Sequence, residues 1–343
     1  MIVRRSAPVL EKTGATMYIN PANLSLSMAV WLATDEYDRT PKPNVISATE
    51  LLKPTKSLIL TQRIANLKLS YDIDVLTEVP SKIGNAIHAA VEGVWVNDPK
   101  IWQLTMSRLD IPKKIIDTVR INPPLPVDPD CYNMFFEQRT ERTLHGYTIS
   151  GKFDIVEQGR VKDIKSTSTY TWIYGGKDTD YIWQGSIYKW LNPKIITDNE
   201  MDVEFLFTDW KVMLAAQDKN YPQQSIKTHT LILKSTEETE AFIIAKLDVI
   251  NKYLNSKENE IPACTPKELW QKPTVWAYFK NPSAQRATKL YNSSLEANTR
   301  AGQDGGGGLV KIRPGEVKFC KYCPARPICK QAEQYIQQGL LKL

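Results

Sequence analysis

Residues 151–188, GKFDIVEQGRVKDIKSTSTYTWIYGGKDTDYIWQGSIY, organise the reading of the whole chain. Residues 152–157 (KFDIVE) and 160–166 (RVKDIKS) are runs of alternating apolar character on either side of Gln158-Gly159. That pattern reads as a β-hairpin with a two-residue turn. Such a turn sets 157 opposite 160, and counting outward sets Asp154 opposite Asp163, with Val156 and Val161 beside them. Two carboxylates directly opposite each other are unfavourable unless a cation lies between them. Lys165 is two residues past Asp163, and the strand period of two returns it to the same face. Two carboxylates and a lysine can hold a divalent cation, orient a water and neutralise charge on a phosphate. Asp-x-Lys alone is better explained as a surface hairpin whose charges are merely solvated. After a turn-rich segment at 174–178, residues 179–191 (TDYIWQGSIYKWL) read as a helix. Gln184 and Tyr188, four apart, share one of its faces.

In order, Gly151 and Asp154 (G-x-x-D), Asp163 and Lys165 (D-x-K), and Gln184 and Tyr188 (Q-x-x-x-Y) resemble the RecB-type branch of the PD-(D/E)XK nucleases, near its CRISPR-adaptation and phage-encoded members. Phe153 stands where the family name has proline. The resemblance spans most of the chain from Ser47 to Cys329. It implies an α/β fold with a restriction-endonuclease-like mixed β-sheet core flanked by helices. It also implies that Asp154 and Asp163 hold Mg²⁺ or Mn²⁺, that Lys165 positions the attacking water, and that Gln184 and Tyr188 orient the substrate strand or brace the lysine.

Upstream, residues 82–96 (KIGNAIHAAVEGVWV) read as a helix with Gly84, His88 and Glu92 on one face. A lone helical histidine suits a structural role; the family's G-x-x-x-H element implies instead that His88 is a further metal ligand. Glu92 either supports His88 or faces water. Glu137, within an expected strand over 132–142 (YNMFFEQRTER), is a candidate outer-sphere ligand or a charge on an exposed strand face. Ser47 and Glu50 have capping-box spacing at the start of a helix.

Near the C-terminal end, Cys320, Cys323 and Cys329 have C-x2-C-x5-C spacing, which in a reducing compartment points to metal rather than to a disulfide. The resemblance implies a four-cysteine [4Fe-4S] site whose first thiol follows an apolar dipeptide early in the core. Lys53-Pro54 occupy that place here. Cys264 is the candidate fourth ligand and Cys131 the second choice. Four thiolates would satisfy Zn²⁺ as well, and a merely packed group is the third reading. Residues 309–315 (LVKIRPG) place basic side chains beside this site, as for a phosphate contact.

Composition bounds the rest. The chain has 343 residues and a formal net charge of +6, compatible with nucleic acid but common elsewhere. No apolar run approaches the ~18 residues that suggest a membrane span. The N-terminus lacks an apolar h-region, and five cysteines do not form a secreted disulfide framework, so the expected location is cytoplasm, that of the host if the chain is phage-encoded. No G-x-x-x-x-G-K-[S/T] loop is present, so no ATP motor is expected. Residues 1–46 read as an N-terminal helical support segment, 47–255 as the nuclease core and 256–343 as the cysteine-bearing C-terminal region. Trp172, Trp183, Trp190, Tyr170, Tyr174 and Tyr181 form a dense aromatic group that suits either core packing or base stacking. The expected function is metal-dependent hydrolysis of DNA, exonucleolytic, in phage or bacterial replication, recombination or repair. The expected partners are DNA with single-stranded character or free ends and, beyond it, recombination or replication proteins. Two alternatives are a DNA-end-binding subunit that does not cut and an RNA-directed nuclease.

Overall fold

The structure, a computed structural model, describes residues 17–34, 44–66 and 72–342. Of the N-terminal helical support segment expected over 1–46, residues 1–16 and 35–43 lie outside the described residues.

The elements run β1 (Met17–Ile19), α1 (Leu26–Ala33), β2 (Val45–Ser47), α2 (Ala48–Leu51), α3 (Thr55–Asn66), β3 (Asp72–Asp74), α4 (Val79–Val96), α5 (Pro99–Arg108) and α6 (Lys113–Thr118). The strands β4 (Val119–Ile121), β5 (Tyr132–Phe136), β6 (Arg139–Leu144), β7 (Tyr147–Lys152), β8 (Ile155–Glu157) and β9 (Arg160–Thr167) follow. Next come α7 (Thr169–Tyr174), α8 (Asp178–Leu191), β10 (Glu200–Phe207), α9 (Val212–Gln217), β11 (Ile226–Ile232) and α10 (Thr236–Tyr253). The last elements are β12 (Val275–Phe279), β13 (Lys289–Tyr291), α11 (Ser294–Gln303), β14 (Leu309–Arg313) and α12 (Lys330–Gln337). This is a mixed α/β architecture. The main sheet has the order β11-β10-β9-β8-β5-β4, and two three-stranded sheets have the orders β2-β7-β6 and β13-β12-β14. In the main sheet β9 pairs parallel with β10 and antiparallel with β8. Contacts divide the described residues into two units, one within Met1–Leu52 and Ser70–Asp248, the other within Lys53–Leu69 and Val249–Leu343. The second unit therefore joins α3 to the C-terminal elements, a grouping that the sequence boundaries at 46/47 and 255/256 do not draw.

The hairpin forms with the register its turn requires. Glu157 pairs with Arg160, Val156 with Val161 and Ile155 with Lys162. Gln158 and Gly159 both have positive φ, 49° and 84°, the left-handed pair that a type I′ turn needs. Gln is uncommon there, and its side chain explains it: Oε1 accepts the Asn133 N–H at 2.7 Å, while the Gln158 N–H donates to the Asn133 carbonyl at 3.0 Å. The turn thus extends the ladder of β5.

Two runs expected as continuous strands are broken. Residues 132–142 split at Glu137–Gln138 into β5, in the main sheet, and β6, in the three-stranded sheet. Residues 152–157 split at Phe153–Asp154 into the end of β7 and β8, again across the two sheets. The chain changes sheet twice at neighbouring points, and the Glu137 N–H bonds the Asp154 carbonyl at 2.9 Å across the pair of breaks. Phe153, fully buried, anchors the second crossing. Gly151 lets α8 lie close on β7, because a Cβ there would stand 2.5 Å from Leu191 Cδ1 and 3.2 Å from the Tyr188 ring.

At the start of α2 the capping box forms, with Glu50 N–H donating to Ser47 Oγ and Ser47 N–H to the Glu50 carboxylate. The helical run then breaks before Pro54, as the steric demand of proline on its predecessor dictates. The aromatic group divides. Trp190 and Tyr181 are buried, Trp183 stacks on Phe242 at 4.1 Å, and Trp172 meets Phe205 and Phe207 edge-on. Tyr170 and Tyr174 are exposed. Among the described residues no helix is long and apolar enough to cross a membrane.

Candidate active site

The site lies in the first unit, where α4 and α8 meet strands on either side of the double crossing. α4 packs on β9 and brings His88 to the Ile164 carbonyl, 3.0 Å from Nε2. A carbonyl can only accept, so Nε2 carries a proton and Nδ1 is the nitrogen turned toward the carboxylates. Nδ1 lies 3.4 Å from Asp154 Oδ1 and 3.6 Å from Glu137 Oε1. Hydrogen bonding to Asp154 and Glu137 raises the His88 pKa to about 10 against the opposing effect of burial. His88 is therefore an imidazolium wherever nothing else neutralises those two acids.

Asp154 sits in the break between β7 and β8, free of ladder duties. Its Oδ2 instead accepts the Ile164 N–H at 2.8 Å, so Ile164 presents its N–H to Asp154 and its carbonyl to His88. Burial opposes ionisation of Asp154, but His88, Lys165 and the Ile164 N–H outweigh it and hold the carboxyl below the usual range. Glu137 has φ 51°, a left-handed conformation that costs a non-glycine residue about 1–2 kcal/mol. Its second oxygen pairs with Lys152. His88, Glu137 and Asp154 each offer a ligand atom, and these atoms all lie within 4.8 Å of one another. One nitrogen and two carboxylates, converging and half enclosed, suit a divalent cation.

Asp163 and Lys165 stand beside this group on β9. Asp163 is 1% exposed, and Lys165 Nζ lies 2.5 Å from its Oδ2. Burial, seconded by Asp154, pushes the Asp163 carboxyl up, while Lys165 pulls it the other way. Burial likewise works against the Lys165 ammonium, but Asp163 and Asp154 outweigh it and raise its pKa. On α8, Gln184 Nε2 reaches both Asp163 Oδ1 at 3.2 Å and Tyr188 Oη at 2.8 Å. The Tyr188 phenol is fully buried, which pushes its pKa far up and keeps it neutral.

The sequence motifs thus converge, with two changes. Asp163, expected beside His88 and Asp154 as a ligand, is not part of the group of three; its oxygens face Lys165 and Gln184. Glu137, expected at most as an outer support, is part of it. Among the described residues, no hydrogen bond or ion pair ties Glu92 to these groups. Lys152 was not anticipated, although it lies two residues before Asp154, where a strand's period would have flagged it.

A second group of side chains lies in the other unit. Cys264, Cys320, Cys323 and Cys329 line one pocket, together with Lys56, Ser57 and Arg326. Cys320, Cys264 and Cys329 extend a small core of Leu269, Val317, Ala332 and Leu341. Ser57 Oγ lies 3.1 Å from Cys323 Sγ, and Gln331 brackets the Cys264 backbone through its N–H and carbonyl. Burial pushes Cys264 up to about 12 and Cys320 up to about 11, so as free thiols they are protonated and inert. Cys131 belongs to the first unit, buried near Asp128, and is not among the residues that line this pocket. Among the described residues, the one group of three close potential ligands is His88, Glu137 and Asp154, and the thiols form no such group.

No family model matches this chain, and no curated protein matches it. Among solved structures the chain is similar to one described as "Crystal structure of SSO0001", at 14% identity and a TM-score of 0.37, covering 67% of this chain and 83% of that one.

Proposed function

We propose that this chain is a metal-dependent nuclease that hydrolyses phosphodiester bonds of DNA, with an exonuclease as the favoured form and phage or bacterial DNA processing as its setting. The observation that supports it most is the convergence of His88, Glu137 and Asp154 beside the Asp163–Lys165 pair. On this reading the main sheet is a restriction-endonuclease-like core, with β9 carrying the acid and lysine and α4 and α8 supplying the flanking residues.

His88, Glu137 and Asp154 would hold Mg²⁺ or Mn²⁺. When bound, the cation supplies the positive charge that polarises a phosphate oxygen and makes a water acidic. The Ile164 carbonyl fixes the His88 tautomer, so that Nδ1 offers its lone pair once its proton leaves. Lys165, kept charged by Asp163, meets negative charge developing on the phosphate and orients the attacking water. Asp163 holds the ammonium in place. Gln184 and Tyr188 are positioning residues that hold Asp163. The four thiols that line one pocket would carry an iron–sulfur cluster or, as the alternative, a Zn²⁺ ion, which four thiolates satisfy as well.

The test uses end-labelled linear single-stranded, linear double-stranded and circular DNA, and RNA of the same sequence, each with Mg²⁺, Mn²⁺ or EDTA. Cutting of linear DNA that EDTA abolishes, with circles spared, is expected. Lys165→Ala should lower the rate by about 10²–10³. Tight binding to DNA ends without cutting under any metal would replace the nuclease with an end-binding protein.

A further inference from the structure

Charge divides between the two units in a way the total of +6 conceals. Residues 53–69 and 249–343 hold 19 lysines and arginines against 7 acidic residues, whereas the rest of the chain holds 25 against 31. Most of those seven acids are already engaged inside the unit. Glu258 pairs with Lys56 at 2.6 Å, Glu316 with Lys272 at 3.2 Å, and Asp304 with Arg300 at 3.1 Å. Glu260 and Glu268 accept the backbone N–H groups of Lys257 and Thr265.

Four cations that form no salt bridge among the described residues lie on or next to the sheet β13-β12-β14. Lys280 follows β12, Lys289 lies on β13, and Lys311 and Arg313 lie on β14. All four are exposed; Lys280 stands close enough to Asp304 for its charge to help hold that carboxyl down, while Lys289, Lys311 and Arg313 form no salt bridge among the described residues. β14 is an edge strand, and Lys311 and Arg313, two apart, share one of its faces. Both head groups lie 5.5 Å from the ring of Phe279, which is itself buried. That cation–π contact gives each charge a fixed seat while leaving its outer side to solvent. Two exposed charges of one sign, seated on a buried ring, complement a repeating anion. A phosphate backbone needs only unpaired cations.

We propose that the Lys311–Arg313 face of β14 is a docking surface for the phosphate backbone of a nucleic acid, read without regard to sequence. The proposal rests on the nuclease reading for its ligand, but its test is independent of cutting.

Binding of fluorescein-labelled single-stranded and duplex DNA to the full-length protein is measured by anisotropy in EDTA across a series of salt concentrations. The double variant Lys311→Gln/Arg313→Gln is compared with Lys113→Gln/Lys114→Gln, two exposed lysines of α6 in the other unit. Glutamine keeps the edge strand polar, and circular dichroism with a denaturation midpoint checks the fold. Loss of Lys311 and Arg313 is expected to weaken binding equally for unrelated sequences and to lower the salt slope by about 1 per residue, about 2 in all. The Lys113/Lys114 variant is expected to keep the wild-type slope. An unchanged slope in the β14 variant, or an equal fall in both variants, overturns the proposal. A protein that binds through β14 yet never cuts would sink the nuclease reading and leave this one standing.

Discussion

Glu137 shows how much a single residue can be asked to do. Its backbone is held left-handed, its N–H bonds the Asp154 carbonyl, and its carboxylate is divided between His88 and Lys152. Strain of this kind persists only where the surroundings over-determine it, and it concentrates at functional sites. Glu137→Gln is therefore expected to raise the Mn²⁺ concentration needed for half-maximal cutting by tenfold or more, while Glu92→Gln leaves it unchanged. Direct titration of Mn²⁺ by electron paramagnetic resonance should show the same shift. Equal behaviour of the two variants would remove Glu137 from the cation site. Nothing local in EQRTER announces this role, because the residue reaches His88 and Asp154 only once the chain has changed sheet. His88, Asp163, Lys165, Gln184 and Tyr188 sit at fixed offsets within single elements and Asp154 at a fixed offset from the turn, but it was the resemblance to the RecB-type motifs that singled them out. Tyr188→Phe tests the positioning chain: with the hydroxyl gone, the Gln184 amide loses one of its two buried contacts. The rate should fall severalfold while the Mn²⁺ requirement stays put, a split that simple loss of stability would not produce.

At the scale of the element, the hairpin was legible because a two-residue turn leaves one register, and one register decides which side chains share a face. The two sheet crossings were not legible. No glycine or proline marks either break: residues 137–142 are polar throughout, alternation continues through Phe153–Asp154, and periodicity reports faces, not which sheet a strand joins. The turn itself yields a prediction against simple propensity. Asn favours the left-handed turn position more than Gln does, yet Gln158→Asn is expected to destabilise the protein by about 1 kcal/mol. The shorter side chain would leave the partly buried Asn133 N–H without its acceptor, and an unmet buried donor costs about 1–3 kcal/mol, more than a turn preference returns. A rise in the urea midpoint would show that the turn conformation, not the cross-strand bond, dominates. Gly151→Ala should cost more, about 1–3 kcal/mol, because the added methyl meets Leu191 and Tyr188 where α8 rests on β7. Its cutting rate should fall too, since the same helix carries Gln184.

For the molecule as a whole, each candidate centre draws its ligands from one unit. His88, Glu137 and Asp154 belong to the first, and Cys264, Cys320, Cys323 and Cys329 to the second. The sequence could place the C-x2-C-x5-C triplet, but the fourth thiol depends on which loop the fold brings to it. Pocket lining favours Cys264, more than fifty residues earlier in the chain, over Cys131, which does not line it. Cys264→Ser is accordingly expected to abolish bound iron and visible absorbance in anaerobically purified protein, whereas Cys131→Ser leaves both intact. Because no thiol takes part in the other centre, the Mn²⁺ affinity of the Cys264→Ser protein, measured without substrate, should match the wild type within about twofold. Its unfolding midpoint should drop, since the thiols pack into the small core around Leu269 and Val317, and a cluster that binds only the folded state stabilises it by mass action. Full iron retention in Cys264→Ser would return the fourth ligand to another group. Loss of Mn²⁺ affinity together with iron would mean that the thiol centre supports the cation site as well as the unit that contains it.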